Sequence, residues 1–107
     1  MSNKANADRR YPNALPEVRR AAQQALTSLG WSWKPSSEGG FDAAWTSRVF
    51  RFKDDVSVRL DCANGTLVRV QSVSRRGAFD FGQNARHVRD FFEELERYLT
   101  QDVKRKT

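Results

Sequence analysis

The sequence predicts an α+β domain: a two-layer sandwich of four antiparallel strands carrying an N-terminal and a C-terminal helix on one face, in the order α-β-β-β-β-α. Three observations predict it. Apolar residues recur at helical spacing near both ends of the chain, they alternate with polar ones through the middle, and Asn64-Gly65 marks a tight hairpin between two alternating runs.

The first helix is expected from Ala14 to Leu29. Leu15, Val18, Ala22, Ala25, Leu26 and Leu29 form one stripe, and Arg19, Arg20, Gln23 and Gln24 fall outside it. Asn13 suits an N-cap, Pro16 fits the first turn, Glu17 faces the positive end of the helix dipole, and Gly30 follows as a C′ residue. Trp31 and Trp33 share one strand face. A Ser-Ser-Glu-Gly-Gly turn at 36–40 precedes a strand expected over 41–52, bent near Ser47, in which Phe41, Ala43 and Trp45 point one way. Lys53-Asp54-Asp55 reads as the turn into the next strand. There Val56, Val58, Leu60 and Cys62 alternate with Ser57, Arg59 and Asp61, which makes Cys62 a buried hydrophobe. Thr66 to Ser74 returns as its partner. The last helix is expected from Ala85 to about Gln101, with Ala85, Val88, Phe92, Leu95 and Leu99 buried, Phe91 and Tyr98 widening the stripe, and Asn84 capping it.

The 107 residues fit a single domain, expected over 11–101, between a flexible basic tail at 1–10 and a second basic tail at 102–107. One cysteine excludes an internal disulfide framework and a cysteine-rich zinc site. No apolar run reaches the ~18 residues that would span a bilayer, and Met1 to Asn13 carries no apolar signal core, so the expected compartment is the cytoplasm. The net charge of +6 raises nucleic-acid binding. However, Lys4, Arg9 and Arg10 against Asp8 leave +2 on one tail, and Lys104, Arg105 and Lys106 against Asp102 leave +2 on the other. Binding through the tails is therefore weak at best and ranks last among the alternatives.

One segment is more than a connection. Ser72 to Arg89 contains Gly77 and Gly82, two phenylalanines in polar surroundings, and four arginines (Arg75, Arg76, Arg86 and Arg89) around a helix start whose free N–H groups favour an anion. Asp80 is set either to pair with one of these arginines or to belong to a site. A serine nucleophile, Ser72 or Ser74, has only His87 as a base, and His87 reads as a partly exposed helix residue. Asp54, Asp55 and Asp80 could offer oxygen ligands to a metal, but adjacent aspartates in a strand point to opposite faces. Trp31, Trp33 and Trp45 read as packing between sheet and helix. No Walker loop, dinucleotide fingerprint or paired-histidine motif is present. No catalytic set, metal site or cofactor is expected.

The stretch Phe50-Arg51-Phe52-Lys53-Asp54-Asp55-Val56-Ser57-Val58-Arg59, then Ser72-Val73-Ser74-Arg75, Gly77-x-x-Asp80-x-Gly82-x-Asn84 and Val88-Arg89, resembles the family called domain of unknown function 1499. The resemblance spans about residues 11–100 and implies a single domain without implying a reaction. Within it, Arg76 stands where a small apolar residue is expected.

The function expected from these observations is that of a non-catalytic accessory or interaction module. It would bind another protein, or an anionic group, through the open sheet face and the loop from Ser74 to Asn84. Arg59, Arg69, Ser74, Arg75, Asp80, Asn84 and Arg86 are the candidate binding residues, and Asp54, Asp55, Gly77 and Gly82 are candidates for a structural clasp. The competing expectation is an enzyme acting on a phosphorylated or carboxylated small molecule with Ser74, Asp80 and Arg75.

Overall fold

A computed structural model describes residues 4–49, 51–75 and 82–106, the last six for backbone only. Five strands and two helices follow in the order β1 (Lys4–Tyr11), α1 (Leu15–Ser28), β2 (Ser32–Pro35), β3 (Phe41–Thr46), β4 (Lys53–Cys62), β5 (Thr66–Ser74) and α2 (Gln83–Lys106). The strands form one antiparallel sheet in the order β1-β5-β4-β3-β2.

The sheet therefore has five strands rather than four. The added strand comes from the segment expected to be a basic tail, and α2 likewise continues through most of the other expected tail. β1 escapes pattern reading because it is an edge strand that buries little. Only Ala5, Ala7 and Tyr11 are partly covered, and charged residues fill most other positions. Long-range contacts hold it. Arg9 and Tyr11 reach Glu96 on α2 at 2.5 and 2.7 Å, and the Arg9 guanidinium lies 4.6 Å from the Phe92 ring centroid. Burial, with the neighbouring Glu96 carboxylate, pushes the Tyr11 hydroxyl pKa well above its ordinary value.

The inner sheet face presents Phe41, Ala43, Val56, Val58, Leu60, Val68 and Val70. Val18, Ala22, Ala25 and Leu26 of α1 pack there together with Val88, Phe91, Phe92, Leu95 and Leu99 of α2. The two helices touch one another, α1 resting on β2 and β4 and α2 on β1 and β5. The alanines of α1 have no exposed surface, which lets that helix approach closely, while the paired phenylalanines of α2 fill the wider gap.

Several local expectations need correction. Ala14, not Asn13, occupies the N-cap position of α1 and makes no side-chain cap; Asn13 instead donates its amide to Glu17 at 3.1 Å, and its carbonyl accepts from the Thr66 hydroxyl. Residues 41–52 are not one bent strand. The chain leaves β3 at Thr46 and turns, and Ser47 closes the loop by donating N–H to the Phe52 carbonyl while its Oγ accepts from Phe52 N–H. Lys53, Asp54 and Asp55 are not a turn but the start of β4. Ala85 is exposed. Cys62 is also exposed, because the inside–outside alternation stops with Asp61 and Cys62 beside the hairpin.

Two glycines are dictated by geometry. Gly65, at φ +108°, lies so close to the end of β1 that a Cβ would come within 2.2 Å of the Tyr11 carbonyl oxygen. Gly40, at φ +96°, would place a Cβ 2.0 Å from the Val58 carbonyl oxygen.

Candidate functional site

The alternation of β4 continues backwards from Val56 to Asp54, so Asp54 enters the protein interior between the sheet and α2. Its side chain meets His87, one turn into α2, with Oδ2 3.0 Å from Nε2. Asp54 is 3% exposed and His87 5%. Trp31 stands edge-on to the imidazole at 5.5 Å, and Trp45 lies tilted against it at 4.7 Å. These rings exclude water, and burial lowers the His87 pKa from its ordinary value; hydrogen bonding to Asp54 opposes that shift without overcoming it. His87 is therefore neutral near pH 7 and donates Nε2–H to the Asp54 carboxylate.

Beside this pair lies a second buried polar group. Ser72 donates its hydroxyl to Asn84 Oδ1 at 2.6 Å, and the Asn84 amide donates to Ser74 Oγ at 2.9 Å. Asn84 has no exposed surface. It is thus a bridge between β5 and α2 rather than a helix cap. Together the two groups tie the first turn of α2 to adjacent strands, since Asp54 is the register partner of Ser74 and Val56 that of Ser72.

Among the described residues, no helix lies on the opposite sheet face. Arg75 forks onto Asp55 with contacts of 2.8 to 3.0 Å. Arg59 donates to Asp42 Oδ1 at 2.9 Å and to the Phe41 carbonyl at 3.0 Å, and it approaches Glu38 at 3.4 Å. Its register neighbour Arg69 lies 3.9 Å from Asp8 on β1. Between these pairs a shallow concavity of about 470 Å³ runs across β2 to β5, lined on this face by Lys34, Ala44, Ser57, Gln71 and Val73 among others.

The expected residues thus divide between two faces. Arg59, Arg69, Arg75 and Asp55 belong to the open face; Asp54, Ser74 and Asn84 belong to the interior. Arg86 is exposed on the first turn of α2, and Gly82, at φ +80°, precedes it with its carbonyl accepting from Arg86 N–H. Asp80 and Gly77, like Arg76, lie outside the described residues. Ser74, the last residue of β5, bonds to Asn84 in the interior, while Arg75 just after it pairs with Asp55 on the open face, so the two address opposite faces and do not line one pocket. Asp54 and Asp55 separate in the same way, and among the described residues no cluster of histidine, cysteine, aspartate and glutamate is arranged to hold a metal. His87 is not a partly exposed helix histidine. It turns Nε2 to Asp54, while Ser72 and Ser74 bond to Asn84, so the serine–histidine pairing considered from the sequence is not made.

The Asp54–His87 pair was the main omission of sequence reading, although two signals pointed to it. Asp54 is in phase with Val56, Val58 and Leu60, and His87 lies at helical spacing from Asn84 and Phe91 along the buried side of α2.

The family model for proteins of unknown function named DUF1499 matches residues 2–95. The chain belongs to this family. A solved structure from Thermus thermophilus, that of TTHA0849, superposes with a TM-score of 0.51 at 12% sequence identity, covering 92% of this chain and 98% of the other. That likeness concerns the fold alone. No curated protein matches the sequence. The matched segment begins before β1, so this family member includes in its domain the strand that pattern reading assigned to a tail.

Proposed function

We propose that this family member is an accessory module that holds a partner protein against the open face of its sheet. The observation that carries the proposal is the concavity of about 470 Å³ on a face that neither helix covers. Its floor has small or short side chains, Ala44, Ser57 and Val73, and its polar groups are spaced along neighbouring strands. Such a floor accommodates inserted side chains, and the surrounding charges fix their register.

A partner protein fits better than a small free anion. Arg59, Arg69 and Arg75 each already face a carboxylate, so a free anion must displace one. Lys34 lines the same concavity and makes no ion pair among the described residues. This supports a partner that brings an acidic group to Lys34.

The test is site-specific photo-crosslinking in native lysate from position 57, on the open face, and from position 20, on the outside of α1. One protein captured from position 57 alone, and lost with Lys34→Glu, supports the proposal. Equal capture from both positions, or capture unaffected by Lys34→Glu, removes it.

A further inference from the structure

The loop joining β3 to β4 is unlike the rest of the surface. The described residues contain two exposed large apolar side chains, Val49 at 79% and Phe52 at 52%, and both belong to this loop. Three cations interleave with them, Arg48, Arg51 and Lys53, all exposed. None of the three makes an ion pair among the described residues, whereas the arginines of the open face each meet a carboxylate.

The loop is also held in shape. Ser47 closes it with two hydrogen bonds to the Phe52 backbone, at 2.8 and 2.9 Å. Arg51 sits at φ +55°, a conformation that costs a non-glycine residue energy and persists only where its surroundings enforce it. A polar loop of the same length would avoid the exposed apolar surface. Ser47 and Phe52 thus fix the two ends of a loop that exposes Val49, Phe52 and three cations at the end of the sheet.

We infer that this loop docks the protein onto an anionic lipid surface. Val49 and Phe52 enter the boundary between headgroups and acyl chains, and Arg48, Arg51 and Lys53 meet lipid phosphates and carboxylates. Charge complementarity chooses the occupant: exposed apolar and cationic groups lie within a few residues of one another in this loop, and the cations have no carboxylate partner among the described residues. Any partner must therefore offer apolar and anionic contacts intermingled, as a bilayer interface does. The site goes beyond the open-face proposal and shares none of its residues, so either can fail alone.

Sedimentation of the full chain with vesicles tests it, using phosphatidylcholine alone and phosphatidylcholine with about 30% phosphatidylserine. Binding is expected only to the second and should weaken steeply with salt. Val49→Asp and Arg48→Glu should each reduce partitioning about tenfold, while Val49→Leu retains it. Arg20→Glu, an equal charge change on the outside of α1, should have little effect. The inference is overturned if the chain ignores anionic vesicles. It is also overturned if Arg20→Glu weakens binding as much as Arg48→Glu, which would mean attraction by net charge alone. A protein crosslinked from position 49 in the absence of any vesicle binding would likewise overturn it, in favour of a protein partner. These side chains are exposed, so unfolding midpoints should match wild type and separate docking from stability.

Discussion

Replacing Asp54 with valine, His87 with leucine, and then both together measures what the buried pair contributes. In Asp54→Val the imidazole keeps a buried N–H without its acceptor, which costs about 2–3 kcal/mol, since the lost bond had a charged partner. In His87→Leu the orphan is a buried carboxylate, and removing one side of such a pair costs about 3–5 kcal/mol. The histidine change should therefore be the more damaging one, even though it introduces the better helix former. The double variant leaves no orphan and replaces both groups with apolar side chains among Trp31 and Trp45. It should be more stable than the sum of the single effects implies by about 2 kcal/mol or more. Urea unfolding at neutral pH measures all four corners of the cycle. The pH dependence adds a second condition. Burial holds the folded-state pKa of His87 below the ordinary value of 6.5, so the unfolded chain binds the proton more readily. His87 thus contributes its full stability above about 6.5, and this contribution declines as the pH falls from there through the lowered folded value. The decline should vanish in the double variant. Additive single effects, within about 0.5 kcal/mol, or a double variant retaining the wild-type pH slope in that window, would refute the reasoning.

Three further outcomes are expected. Asn84→Ala removes the bridge to both Ser72 and Ser74 and should cost about 2–3 kcal/mol in urea unfolding, whereas a cap residue alone would cost about 1. Gly65→Ala should destabilise by more than about 2 kcal/mol and should selectively lower hydrogen-exchange protection in β1, because the added carbon meets the Tyr11 carbonyl at the end of that strand. Tyr11→Phe deletes the phenol donor to Glu96 and should lower stability by about 1–2 kcal/mol at pH 7, with thermal melting as the readout.

Sequence pattern carries an element when one face is buried and the other wet. For that reason α1, β4, β5 and α2 were legible, each with an apolar set at its own period. The Asn64-Gly65 turn was legible for another reason: both residues adopt positive φ, which few other pairs accept. β1 was not legible, because most of what holds it is backbone pairing with β5 and contacts to Glu96 and Phe92, all remote in sequence. The polar interior failed for a different reason. Hydrophobic patterning treats Asp54 as an interruption and starts β4 after it, although the strand period runs through it unchanged. Residue type alone assigns Asn84 the capping role common at a helix start, whereas the serines that occupy it come from β5. Alternation alone puts Arg59 and Arg69 on the open face, but their carboxylate partners follow from register, which the sequence does not display.

The strand order also governs when the molecule can finish assembling. β1 pairs with β5, more than half the chain away, and β2 is the other edge. During synthesis β1 emerges from the ribosome first, yet no hydrogen-bonding neighbour exists for it until Thr66 to Ser74 has been made. Joining ends so distant in sequence is a slow step. Until it happens, the backbone of β5 presents an open edge to any other nascent chain. The charges along β1 keep that waiting segment in water, and its arrival closes the edge.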